Sequence, residues 1–222
     1  MTQFLNTWRT DTLTPIQSGI YTNVIVNGNP NHKRVALTFD DAPDDNNTDK
    51  LLDILDYHGV KAAFFMIART MVEGNISVVQ RTNDEGHLVL NHTLSHPRLS
   101  DLNESSIVYQ LDHAAEQIES ITGHYPLLYR PPYGSINSLV VESTNNHGLT
   151  TILWSLDSLD WTLKDSDAVV ENVISNVRNG DIILMHRNAT SVASLSEMIE
   201  ELKNKGYLFE RLDEMLGIRA YR

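Results

Sequence analysis

The chain has 222 residues, 41% of them hydrophobic and 21% charged, which suits one large domain or two small ones with an ample core. It contains no cysteine, so disulfides, thiolate metal sites and cysteine nucleophiles are excluded. A formal charge of −12 disfavours nucleic acid or an anionic membrane surface as the main partner, because either would be repelled.

Residues 1–32 are less regular than the rest, and the "VNGNPN" stretch within them predicts a hairpin packed on the body that follows. The opening "MTQFLNTWRTDTLTP" has no basic segment leading into an apolar core, so no signal peptide is read in the chain as given. "VALTF" (35–39) predicts a strand. "TDKLLDILDYHG" predicts a helix, with Leu51, Leu52 and Leu55 at helical spacing and Gly59 as its stop. "KAAFFMI" reads as a strand; the apolar run around it is far too short to span a bilayer. A helix around "ISVVQRTNDEG" leads to strand "HLVLNH". Between 105 and 122, Ile107, Leu111, Ala114, Ile118 and Ile121 recur every three or four residues before Gly123, the clearest helix in the chain. Then come strand "PLLYR", helix "SINSLVVESTNNHG", a single strand "TTILWSL", helix "DAVVENVISNVRNG", strand "DIILMH", helix "SVASLSEMIEELKNKG", strand "YLFE" and a short terminal helix.

Strict alternation of this kind requires parallel strands joined by helical crossovers. The predicted fold is α/β: a deformed (β/α) barrel of about seven parallel strands with surrounding helices, over residues 33–222, closed or nearly so.

In such barrels reacting groups gather at the C-terminal ends of the strands. Asp40 and Asp41 follow "VALTF", His92 follows "HLVL", Arg130 follows "PLLY", Asp157 and Asp160 follow "TILWSL", and His186 follows "IILM". One strand-end aspartate is ordinarily a turn or cap residue; seven ionisable residues at five strand ends are not explained that way. His92 and His96 in "NHTLSHP" are spaced to converge on one ion, from a helix or from a tight loop. Adding the Asp41 carboxylate gives two nitrogens and one oxygen, a three-ligand set that leaves a coordination position open, as catalytic sites do. The doublet then has a reason: adjacent side chains point differently, so one aspartate can bind the ion while the other faces its water.

"TFDDAP", "HTLSH", "RPPYG", "DSLDW" and "LMH" follow the order and spacing of the five motifs of polysaccharide deacetylases, the NodB-homology family also called carbohydrate esterase family four, which the chain resembles over about residues 33–215. The resemblance implies a divalent metal, zinc with cobalt, nickel or manganese as substitutes, and hydrolysis of N-acetyl groups on sugars. It implies Asp41, His92 and His96 as ligands, Asp40 as general base and His186 as general acid. Arg130 would orient Asp40, and Asp160 would orient His186. Trp161 and Leu184 would wall the acetyl pocket, and the Tyr133 amide, aimed by Pro131 and Pro132, would contribute to the oxyanion site.

Ala42 stands where the family usually has glycine; because it precedes Pro43, it is expected at negative φ, where alanine is tolerated. Asp44 and Asp45 read as rim residues or helix caps, and His87, His113, His124 and His147 as structural or exposed. The expected substrate is N-acetylglucosamine within peptidoglycan or chitin-like chains. An O-acetyl xylan esterase and a carbohydrate-binding protein on the same fold are the alternatives. The expected form is a monomer with no nucleic-acid partner and no integral membrane segment, acting outside a bacterial cell or at its wall.

Overall fold

The computed structural model describes residues 13–44 and 46–222. Nine strands are present among them: β1 (Val24–Ile25), β2 (Arg34–Ala42), β3 (Ala63–Met66), β4 (Leu88–Asn91), β5 (Leu128–Tyr129), β6 (Thr150–Ile152), β7 (Leu156–Asp157), β8 (Ile182–His186) and β9 (Leu208–Phe209). Eight form one parallel wall in the order β1-β6-β5-β4-β3-β2-β8-β7, and β9 pairs with β2. The helices are α1 (Thr14–Gln17), α2 (Asn47–His58), α3 (Ile76–Asp84), α4 (Glu104–Thr122), α5 (Ser138–Asn146), α6 (Ser166–Asn176), α7 (Ala189–Asn204) and α8 (Leu212–Leu216). The fold is the expected parallel barrel wrapped by helices, with one strand more than expected in its wall.

Helix ends follow the local chemistry. Gly59 and Gly123 end α2 and α4 at φ 63° and 77°, left-handed conformations that glycine takes without steric cost. The Asn103 side chain caps α4 by accepting from the Ser106 amide.

Two expectations are corrected. "TTILWSL" is two strands rather than one. The Leu153 amide donates to Ile25 O on β1, whereas the Ser155 amide donates to Ile182 O on β8. The segment therefore changes partners around Trp154, and no strand pairing among the described residues closes the edge strand β7 onto the other edge strand, β1. The barrel is open at that seam. The "VNGNPN" hairpin is also absent: β1 adds to the sheet edge parallel to β6, and Gly28 N–H is committed to Gly180 O. A turn does form there, His32 N–H to Asn29 O at 3.2 Å, but its arms pair with the barrel instead of each other. Residues 1–12 of that expectation lie outside the described residues.

Strand alternation sorts the side chains onto two faces. Val35, Leu37, Phe39, Phe64, Met66, Val89, Ile183 and Met185 pack outward against Leu51, Leu55, Val79, Val173, Leu195 and Met198 of the helices. Ala36, Ala63, Phe65, Leu88, Leu90, Leu128, Ile152 and Ile182 fill the interior together with Leu212 from α8. Each fully buried side chain of this kind contributes roughly 1.5–3 kcal/mol before the entropy of ordering is subtracted. Inward columns turn from apolar to polar towards the strand ends: Ala36, Thr38, Asp40 on β2; Leu88, Leu90, then His92 beyond β4; Ile182, Leu184, His186 on β8. The polar ends of these columns form the mouth of the barrel.

Candidate active site

Asp40 lies directly opposite His186 in the β2–β8 register. Immediately after Asp40 the β2–β3 register shifts, with Asp40 facing Phe65 and Ala42 facing Met66, so Asp41 is an extra residue in the strand. It sits at φ 69°. A bulge of this kind re-aims a side chain, and both carboxylates now face His92: Asp40 Oδ2 is 3.8 Å and Asp41 Oδ1 3.6 Å from His92 Nε2. Left-handed backbone thus falls on Asp41, and Ala42, fully buried, is not among the positive-φ residues.

Arg187, one residue beyond β8, holds the bulge. Its amide donates to Asp40 O at 3.3 Å, its Nε donates to Asp41 O, and its Nη1 lies 3.4 Å from Asp44 Oδ2. Asp44 also accepts from the Asn47 and Thr48 amides at 2.9 and 2.8 Å, so it serves as a helix cap as expected. Asp45 lies outside the described residues.

The "HTLSH" stretch is a tight loop. Asn91 Oδ1 accepts from Thr93 N–H, and Thr93 Oγ1 accepts from His96 N–H; Thr93 and His96 take φ of 69° and 62°. His92 is buried, and its Nδ1 lies 2.8 Å from the Arg130 carbonyl. A carbonyl only accepts, so the proton belongs on Nδ1 and Nε2 presents a lone pair to the aspartates. Burial pushes the His92 pKa down against the pull of Asp40 and Asp41, which favours the neutral, ligating form. His96 Nε2 lies 3.2 Å from Asp41 Oδ1.

Asp41, His92 and His96 bring one ligand atom each within 4.8 Å of one another. Asp41 Oδ1 is buried without a hydrogen-bond partner, an arrangement that costs free energy unless something else satisfies the oxygen. Burial works to raise the Asp41 pKa, but His96, His92 and His186 outweigh it and hold the carboxyl at about 2. An ionised carboxylate with an orphaned oxygen facing two imidazoles fits a divalent cation, and these three residues are the ones that would hold it.

The Asp40 side of the site is dry. Arg130, with no exposed surface, donates from Nη1 to Asp40 Oδ1 at 2.8 Å and to Thr38 Oγ1 at 2.9 Å. Its Nε and Nη2 donate to the Ile152 and Leu153 carbonyls. The guanidinium lies over the Phe65 ring at 4.1 Å.

On the opposite side, His186 Nδ1 is 2.8 Å from Asp160 Oδ1. Asp160 also accepts from the His186 amide, Asn188 Nδ2 and Ser191 Oγ. Burial disfavours the imidazolium, but Asp160, with Asp40 and Asp41 beyond it, outweighs this and raises the His186 pKa to about 9. Its Nε2 is the atom left to meet a ligand.

The remaining expected residues border this mouth. Tyr133 adopts φ 62° in the turn Pro132–Gly134, half-exposed, with its ring 4.8 Å from that of His96. Leu184 is buried one inward position below His186, and Trp161 is half-exposed. Asp157 was not given a role by its sequence position, yet it accepts from the Leu159 amide at 2.8 Å and from Trp161 Nε1 at 3.3 Å, fixing the "DSLDW" turn. Asn188 and Ser191 were also missed; their only signal was their position at the start of a helix, where asparagine and serine are ordinarily read as capping residues. Asn188 does cap α7, and it holds Asp160 as well. Of the other histidines, His87 is buried and accepts from the Ala62 amide, its pKa pushed by burial down to about 3, which makes it structural.

Known proteins share this fold. Residues 27–152 match the family model described as polysaccharide deacetylase. A peptidoglycan-N-acetylglucosamine deacetylase of Listeria monocytogenes is 37% identical over 187 residues, covering 84% of this chain and 39% of that protein. The chain thus spans about two fifths of that relative's length. A solved peptidoglycan N-acetylglucosamine deacetylase superimposes with a TM-score of 0.89 at 34% identity, covering 94% of this chain and 100% of that one. A structure described as a CE4 family pseudoenzyme from Bacillus anthracis gives 0.83 at 32% identity, over 87% of this chain and 68% of that one. Identity at this level over nearly the whole fold, joined to the family match, means that the chain belongs to the polysaccharide deacetylase family.

Proposed function

We propose that the protein is a metal-dependent hydrolase that removes the N-acetyl group from N-acetylglucosamine in β-1,4-linked polysaccharide, releasing acetate and leaving the glycosidic bond intact. The observation that carries this reading is the placement of two proton carriers, Asp40 and His186, opposite each other on β2 and β8, each backed by a buried partner of opposite charge. Hydrolysis of an amide needs that pair: a base for the attacking water and an acid for the departing amine. Glycoside cleavage would instead need two carboxylates flanking an anomeric carbon.

Asp41, His92 and His96 hold the divalent ion, for which zinc suits two imidazoles and one carboxylate. When bound, the ion polarises the acetyl carbonyl and acidifies water. Asp40 Oδ2, the oxygen not bonded to Arg130, takes the proton from the attacking water. His186, protonated at neutral pH, gives a proton from Nε2 to the leaving nitrogen. Arg130 and Asp160 are positioning residues. The Tyr133 amide donates to the developing oxyanion, while Leu184 and Trp161 wall the acetyl methyl group.

Residues 33–222 form the catalytic unit, acting as a monomer because one chain supplies the whole site. Among the described residues no helix is long and apolar enough to cross a membrane. Peptidoglycan as substrate places the reaction at the bacterial wall. The test is mass spectrometry of products from N-acetylglucosamine oligomers, peptidoglycan fragments and acetylated xylan treated side by side. Loss of acetyl groups from the first two is expected; loss only from xylan overturns the substrate, and chain shortening without acetate overturns the reaction.

A further inference from the structure

The mouth of the site is edged by arginines that differ in what they are bound to. Arg130 is neutralised by Asp40, and Arg187 by Asp44. Arg98, two residues after the ligand His96, is exposed and has no ion pair among the described residues. It is not loose. Its guanidinium stacks on the Tyr133 ring at 4.8 Å, and that ring also contacts His96 at 4.8 Å. The loop carrying it is tied to the Tyr133 loop by Ser100 Oγ to Ser135 Oγ at 2.6 Å and by Asn137 Nδ2 to Ser100 O at 3.2 Å. The buried Leu99 anchors it from below. Arg69, exposed in the adjoining loop, adds a second unpaired cation on the same side, the two loops being joined by the Arg69 amide to Leu94 O at 2.8 Å. The nearest acid in sequence, Asp101, is exposed and forms no ion pair with Arg98.

A chain of net charge −12 repels acidic polymers at long range, so a fixed, unpaired guanidinium beside the reaction centre marks where a negative group is accepted. A planar guanidinium held by an aromatic face is pre-organised for a carboxylate, which it can bind through two parallel N–H donors. We propose that Arg98 is a specificity residue that binds a carboxylate on the sugar next to the one being deacetylated, so that the preferred substrate is an acid-bearing N-acetylated glycan of the muramic acid type and not a neutral chitin-like chain. This rests on the deacetylase reading above and narrows its substrate class.

Two oligomer series separate the possibilities: N-acetylglucosamine oligomers, and oligomers of equal length in which alternate sugars carry a free 3-O-lactyl carboxylate. Acetate release and equilibrium binding by calorimetry are both measured, for the zinc-supplemented protein and for Arg98→Ala and Arg98→Lys. The wild type is expected to bind the acidic series more tightly by roughly two- to five-fold, the range of a partly exposed ion pair, and to lose this advantage as salt is raised. Arg98→Ala raises KM for the acidic series alone, leaving kcat and the neutral series unchanged, and Arg98→Lys restores part of the loss. Equal binding of both series by the wild type overturns the proposal. So does an Arg98→Ala effect of the same size on both series, which would mean that Arg98 only steadies Tyr133. Absence of acetate release from either series counts against the deacetylase reading, while the calorimetric comparison still decides whether Arg98 selects a carboxylate.

Discussion

The two halves of the site are built to one plan with opposite charges, and they differ in how dry they are. On the base side a buried carboxylate, Asp40, is backed by a cation with no exposed surface, Arg130. On the acid side a partly exposed imidazole, His186, is backed by a buried carboxylate that three other donors also hold. A charge removed from water depends on its partner far more than one that keeps some solvent, because losing the partner leaves the full desolvation cost uncompensated. The base half should therefore be fragile and the acid half adjustable.

Arg130→Met sharpens this contrast most. It strands the Asp40 charge and leaves two carbonyls without donors, and is expected to cost about 3–5 kcal/mol, read as a fall in Tm of roughly 10 °C for a domain of this size. A loss below about 1 kcal/mol would mean that Asp40 is not held by this pair.

Asp160→Asn should leave the fold nearly intact, since an amide can keep part of the hydrogen-bond set, but it changes the acid. The Asp160 carboxylate is what lifts His186 to about 9. The imidazolium is the competent form below that value and is lost above it, so activity falls as pH rises through the His186 pKa. Without the negative partner the pKa drops, and the alkaline limb of kcat should move to lower pH. Turnover should fall by less than the roughly 10²–10⁴-fold value of the acid itself. An unmoved limb would detach it from His186.

The smallest effect belongs to the residue between the halves. Arg187 touches the base side through Asp40 O and Asp41 O and follows His186 directly in the chain. Arg187→Ala is expected to weaken zinc affinity about tenfold by loosening the bulge, the usual cost of losing a residue that orients a ligand. Calorimetric zinc titration reads this without recourse to activity, and an unchanged affinity would show that the bulge holds itself.

Much of this was legible because two periodicities carried it. The alternation of strand and helix patterns placed Asp40, His92, Arg130 and His186 at strand ends, and helical spacing with Gly59 and Gly123 as stops marked α2 and α4 closely. The features that escaped break those periodicities. An extra residue at Asp41 leaves no trace in an apolar pattern, because the bulge is set by pairing with β3 and by Arg187 from a distant strand. "TTILWSL" reads as one apolar run, and only its change of hydrogen-bond partner near Trp154 divides it. Asp157 stood among the strand-end acids without a role; its hold on Trp161 depends on the left-handed Leu159 between them.

The central claim is that adjacent aspartates, separated by a bulge, have divided work. The most direct test is to measure zinc content and acetate release from N-acetylglucosamine oligomers for Asp40→Asn and Asp41→Asn side by side. Asp40→Asn is predicted to retain about one zinc per chain while turnover falls by roughly two to four orders of magnitude, and Asp41→Asn to lose the metal. Zinc lost from Asp40→Asn and kept by Asp41→Asn would contradict the account.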